Sequence, residues 1–222
     1  GAPNCSTDGL VPLNPTKGNT VRFLRQNVID TSNPDAPDGN PQLIGLTFDY
    51  DILDVNASVK VPVGDDTAVL VKGNYVRNLG YDEDDLCNDT QGGGNGGPIN
   101  NVNLAGQDAA DATGLFCVDG GNFFGGREGW QGAVRFGYDN TDKFGQWWVE
   151  AGYRYLESDA VLDSFTDSNF ALGGTNHKGW FLGGRTGLLP GTSLAITYRS
   201  TDSIEGPKLA TDVLQVDLEA EF

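Results

Sequence analysis

Apolar and polar residues alternate along most of this chain with a period of two. The C-terminal run is the clearest case. Leu214, Val216, Leu218, Ala220 and Phe222 fall on one face, and Gln215, Asp217, Glu219 and Glu221 on the other. Such alternation predicts a strand with one apolar and one polar face. The pattern recurs over residues 55–63, 68–77, 130–138, 146–157, 178–188 and 193–200. In 55–63, for example, Val55, Ala57, Val59, Val61 and Val63 oppose Asn56, Ser58 and Lys60. In 178–188, Trp180, Leu182 and Leu188 are set against Lys178, Gly183 and Arg185. No long stretch has apolar residues recurring at three and four, so no long helix is predicted.

Upstream of residue 55 the phase changes. Leu46, Phe48, Tyr50 and Ile52 are apolar on even numbers, whereas the run from Val55 is apolar on odd ones. A one-residue slip of this kind predicts a β-bulge near Leu53–Asp54. A weaker strand is read over residues 19–29, which brings the count to about eight. Residues 1–18 have no assigned structure, and 19–222 form one body.

The connections differ by end. Val63–Thr67, Asp139–Asp142 and Leu189–Thr192 are short and rich in turn residues. Residues 79–127, 158–176 and 202–210 are long polar connections. Short turns at one end and long loops at the other match the layout of an outer-membrane barrel. The expected fold is therefore all-β: an antiparallel up-and-down transmembrane β-barrel, with 79–127 as a long extracellular loop. The seven or eight strands either close alone or form part of a larger barrel.

Composition narrows the alternatives. The chain has 222 residues, 31 acidic and 14 basic, for a formal charge of −17. Such a chain will not grip phosphate backbones, so nucleic-acid binding is excluded as a partner class. No apolar run reaches the ~20 residues of a membrane helix. Histidine occurs once, at His177, which excludes multi-histidine metal centres. Hydrophobic residues are only 38% of the chain, low for a packed core but sufficient for one face of each strand.

Charge and aromatic residues are ordered along the strands. Lys60, Lys72, Arg135, Arg185 and Arg199 each sit mid-strand on the polar face, and Arg154 lies near the loop end of another strand. In a barrel this face lines the interior, where Glu150, Asp217, Glu219 and Glu221 can pair with the cations. On the apolar face, Tyr75, Trp130, Tyr155, Trp180 and Tyr198 fall at the loop end, and Tyr138, Trp147 and Phe222 at the turn end. Two aromatic belts around a Val/Leu/Ala band are what lipid interfaces select.

Several segments carry a family resemblance. The most specific is Tyr153–Val161, followed by Phe165–Phe170 and Gly173–Trp180. Phe48–Leu53 and Gly73–Asn78 belong to it as well, as does the run Leu214–Leu218 ending on Phe222. In these segments, over roughly residues 46–222, the chain resembles the putative porins of Gram-negative bacterial outer membranes. The resemblance implies a cell outer membrane location, with lipid as a partner. It also implies recognition of the terminal Phe222 by the barrel-assembly machinery, and it leaves room for a homo-oligomer. The expected function is a porin-like passive channel for small hydrophilic solutes, with no enzyme activity and no cofactor. Its pore lining would be Lys60, Lys72, Arg135, Glu150, Arg154, Arg185, Arg199, Asp217 and Glu219. The alternatives are a small closed barrel or an adhesion or surface-assembly subunit presenting acidic loops, and a soluble secreted β-sandwich.

Other features read as structural. Asp82–Asp85 lacks the spacing and glycine of a calcium loop, so no metal site is expected. His177 has Ser164, Ser168 and Ser193 as conceivable partners, but no G-x-S-x-G elbow exists. The glycines at 92–94 and 96–97 lack the lysine of a phosphate loop. Cys87 and Cys117 share one long loop facing an oxidising exterior, so a disulfide between them is expected, contributing about 3 kcal/mol by loop closure. Cys5 reads as a free thiol.

Overall fold

β-Branched and aromatic residues at every second position suit a pleated ribbon with one face shielded from water. A computed structural model describes residues 18–23, 44–87, 97–98, 100–104 and 121–221. Eleven strands form among the described residues. Three-residue strands β1 (Val21–Phe23) and β2 (Ile44–Leu46) pair with each other, as do β5 (Val102–Leu104) and β6 (Gly121–Phe123). The long strands are β3 (Ile52–Pro62), β4 (Thr67–Asn78), β7 (Glu128–Tyr138), β8 (Trp147–Leu156), β9 (His177–Leu189), β10 (Thr192–Ser203) and β11 (Ala210–Ala220). These seven form one antiparallel sheet in the order β11-β10-β9-β8-β7-β4-β3.

Each long strand has 10–13 residues, the length a tilted strand needs to cross a bilayer. At one end the β3–β4 and β9–β10 turns are tight, whereas the β7–β8 connection, expected as the short turn Asp139–Asp142, extends over residues 139–146. Gly191, with φ +69, supplies the left-handed conformation that lets Leu189 lead into Thr192. At the other end lie the long connections.

One expectation is corrected. There is no bulge near Leu53–Asp54: β3 pairs with β4 in unbroken register from Ile52↔Asn78 to Pro62↔Ala68. The phase change arises because Leu46–Tyr50 leaves the sheet, with Phe48 buried in a loop cluster. Of the expected strand at 19–29, Val21–Phe23 form β1, in a separate two-stranded sheet, and residues 24–29 lie outside the described residues. The seven-stranded sheet has β3 and β11 at its edges and is not closed among the described residues.

The packed interior lies outside the sheet, in the loops at its long-connection end. Phe48 and Tyr81 pack with tilted rings, their centroids 4.3 Å apart, joined by Leu86 and Phe123. Cys87, just beyond, is disulfide-bonded; Cys117 and Cys5 lie outside the described residues. Asp82 caps the short 3-10 helix Glu83–Leu86 by accepting from the Asp84 N–H at 3.0 Å, which gives part of the acidic run a structural role.

Candidate functional site

Register assigns every strand residue to a face. One face carries the odd residues of β3, β4, β8 and the even residues of β7, β9, β10 and β11. It is almost wholly apolar in its middle, and among the described residues nothing covers it. Val59 is 63% exposed, Leu182 53%, Leu214 68% and Leu218 70%. Eleven Val, Leu and Ile side chains of this face are at least 46% exposed. Leaving each half-exposed to water forfeits about 1 kcal/mol. The sum, about 10 kcal/mol, matches the entire stability of an ordinary domain.

Aromatic side chains border this apolar band. At the long-loop end Trp130 stacks on Tyr155 and Tyr153 at 6.0 and 5.5 Å, and Trp180 packs against Tyr198 at 5.2 Å. Tyr75 stands directly opposite Trp130. At the turn end Trp147 meets Phe136 edge-on at 5.6 Å, and Tyr138 pairs with Thr67. Phe222 lies outside the described residues. Lys178, expected on the polar face, stands between Tyr155 and Asp202 and so belongs to the aromatic border.

The opposite face gathers all nine residues expected to line a pore. Lys60, Leu70, Arg135, Glu150 and Gly183 follow one another along a single rung. Lys72 and Arg199 lie one rung toward the loops, Arg154 a rung further, and Arg185 and Asp217 one rung toward the turns. Long side chains then pair across intervening strands. Lys72 Nζ reaches over Ala133 to Glu150 Oε2 at 2.5 Å, and Arg185 Nη1 meets Glu219 Oε2 at 2.6 Å. Lys60 pairs with Asp139 in the β7–β8 turn at 2.5 Å. Partly exposed pairs contribute only ~0.2–1 kcal/mol each, so they chiefly fix side-chain positions.

Two arginines of this face have no carboxylate within ion-pair distance among the described residues. Arg135 donates to the carbonyls of Tyr138 and Asp139 at 3.3 and 3.1 Å and lies 4.3 Å from the Trp148 ring. Arg199 donates to Gln215 Oε1 at 2.9 Å. Trp148 and Phe181 also sit on this face, against the expectation of uniform polarity. Phe181 lies there because β8 offers Gly152 beneath it: a Cβ at Gly152 would come 2.3 Å from the ring. Trp148 was legible from its even number beside Glu150; Phe181 broke the alternation.

The long loops fold back over this same face. Phe170 lies 4.5 Å over the Arg154 guanidinium and 5.2 Å from the His177 ring. Asp167 Oδ2 stands 3.9 Å from Arg154 Nη1, whose Nε donates to Gln131 at 2.6 Å. Asn78, at the loop end of β4, donates to the carbonyls of Asp49 and Asp159 at 2.9 and 3.1 Å. Behind it, the fully buried Asp159 accepts from the Thr20 N–H and hydroxyl at 2.7 and 2.6 Å and from the Tyr50 hydroxyl at 3.0 Å. Asn19 donates to the Ser158 and Val161 carbonyls, both at 2.7 Å. This cap was not visible in the sequence.

His177 is buried, its Nε2 2.9 Å from the Gly174 carbonyl. It pairs with Ser203, at the far end of β10 from Ser193. That position is structural, between the cap and the sheet.

The architecture can be set beside known proteins. Comparison with curated proteins and with solved structures gives no match. A family model described as putative porin matches residues 1–222, the whole chain. With an antiparallel meander of membrane-length strands, and that match running end to end, the chain belongs to the putative porin family.

Proposed function

We propose that this chain spans the bacterial outer membrane and lines a passive channel for small hydrophilic solutes. The observation that carries this reading is the inversion of the sheet. Its broad apolar face is uncovered and bordered by aromatic rings, and its other face holds the fixed charges. Lipid tails would cover the first face and water the second, which removes the cost of exposed Val and Leu. Lysines, arginines and carboxylates held in place across strands are the means by which a pore discriminates between solutes. Outer-membrane lipid is the implied partner. The terminal Phe222 is proposed as the signal read by barrel assembly.

Strand directions bear on closure. The long strands alternate, so the edge strands β3 and β11 run the same way. An antiparallel closed barrel therefore takes an odd number of further strands.

The inward cap supports a second reading, a closed barrel that presents loops and conducts nothing. Planar-bilayer recording of the folded protein separates the two. Stepwise, ohmic current is expected from the channel. Folded, inserted protein that never conducts would leave the anchor reading.

A further inference from the structure

Six cations and six acids meet along the strands of the polar face once Asp139 and Asp167, the partners of Lys60 and Arg154, are included. Balanced charges give the wall no excess field with which to sort ions. Shape and hydrogen bonding are left to discriminate between solutes.

Three aromatic rings lie over this face, and two of them are engaged. The Arg135 guanidinium lies 4.3 Å from the Trp148 ring, and that of Arg154 lies 4.5 Å from the Phe170 ring. Phe181 has no ring or cation partner among the described residues. Its in-register neighbour Arg199 donates to Gln215 Oε1 instead, at 2.9 Å. Gly152 faces Phe181 on β8, and a Cβ there would come 2.3 Å from Cζ and 2.7 Å from Cε1. A ring tip so close to the neighbouring backbone lies across the sheet rather than standing off it, and only glycine leaves room for that. The ring is partly exposed, an apolar platform in a polar wall.

Hydrogen-bonding groups surround the platform. Glu150 and Arg154 flank Gly152 on the same face of β8. Each is already held in place, Glu150 Oε2 by Lys72 Nζ and Arg154 Nε by Gln131 Oε1 at 2.6 Å. Glu150 Oε1 and the Gln131 amide N–H groups have no protein partner among the described residues. Asn74 and Asn56 continue the amide row across β4 and β3. With Ser58, Lys72 and Gln131 they line a hollow of about 340 Å³. Asn74 Nδ2 donates to Asp54 and Asn56 at 2.6 and 3.0 Å, which leaves its Oδ1 as an acceptor.

A pyranose sugar matches both elements. Its ring presents C–H groups that stack on an aromatic face, and its rim carries hydroxyls that each donate and accept. Resting on the channel reading above, we propose that the polar face holds a saccharide-binding subsite. Phe181 is the stacking platform, and Glu150, Gln131 and Asn74 are the hydroxyl partners. A stop along a conduction path must also release its solute, so binding there is weak.

The experiment compares glucose with mannitol, neutral solutes of nearly equal size of which only glucose has a closed ring. Saturation-transfer NMR reads weak binding to the folded full chain in micelles of a detergent that carries no sugar. Glucose should receive saturable transfer and mannitol none. In F181L, which keeps apolar volume but loses the ring, affinity should fall about three-fold or more, and F181Y should retain it. Heat-modifiable migration in SDS confirms that each variant has folded. In planar bilayers glucose should lower the KCl conductance with the same half-saturation. Equal transfer to glucose and mannitol, or none to either, overturns the proposal. Unchanged affinity in folded F181L overturns the role of Phe181. Glucose binding by a folded protein that never conducts keeps the subsite and removes the channel reading, whereas conductance without glucose binding does the reverse.

Discussion

Asp159 has no solvent exposure, and three donors converge on it from Thr20 and Tyr50. Those donors favour the carboxylate, but burial outweighs them and holds its pKa above the ordinary value. Burial and the neighbouring Asp159 together push the Tyr50 phenol far upward, so it remains a donor at working pH. The sign for stability follows from proton uptake. Between the unfolded and the raised folded value, the docked cap binds more protons than the undocked one. Docking should therefore weaken as pH rises through that window, and Asp159→Asn should flatten the dependence. Hydrogen exchange of the Thr20 amide against pH measures it. Asp159→Ala leaves the Thr20 donors without acceptors, at about 1–3 kcal/mol, so that amide should exchange about tenfold faster or more. Nothing in the sequence pointed to this network, because Thr20 and Asp159 are 139 positions apart and polar side chains in loops carry no periodic signal. The charged residues of the sheet were legible, since strand parity alone places Lys72 and Glu150 on one face.

At the scale of the element, alternation located all seven long strands to within a few residues. It worked because one face of each strand has a single environment along its length. It failed at Leu46–Ile52, where two environments follow each other: Phe48 packs in the loop cluster and Ile52 begins the sheet. The same parity makes a sharp mutational prediction. Val134 lies mid-strand on the uncovered apolar face, between Val71 and Ala151. Val134→Arg should destabilise the membrane-inserted protein by about 2–4 kcal/mol. Thr197→Arg, on the polar face opposite Gly183 and Gln215, should be close to neutral. Urea-driven unfolding from lipid vesicles compares the two. Equal effects would mean that the faces do not differ in environment.

For the whole molecule, two parallel-running edges constrain assembly. In the proposed barrel an odd number of further strands separates β3 from β11, so the two are not neighbours. Cysteines replacing Ala57 and Val216 should fail to cross-link there, and efficient cross-linking would indicate direct parallel closure. Family membership and the sheet's layout agree on a porin-like body. The claim beneath both is that one face meets lipid and the other water. The four tryptophans test it directly, because Trp130, Trp147 and Trp180 lie on the apolar face and Trp148 on the polar one. Single-tryptophan variants folded into vesicles of brominated lipid provide the measurement. Trp130, Trp147 and Trp180 should be quenched by the lipid, while Trp148 should be spared by it and quenched by aqueous acrylamide. Lipid quenching of Trp148 equal to that of its neighbour Trp147, or no lipid quenching of any of the four, would contradict the account.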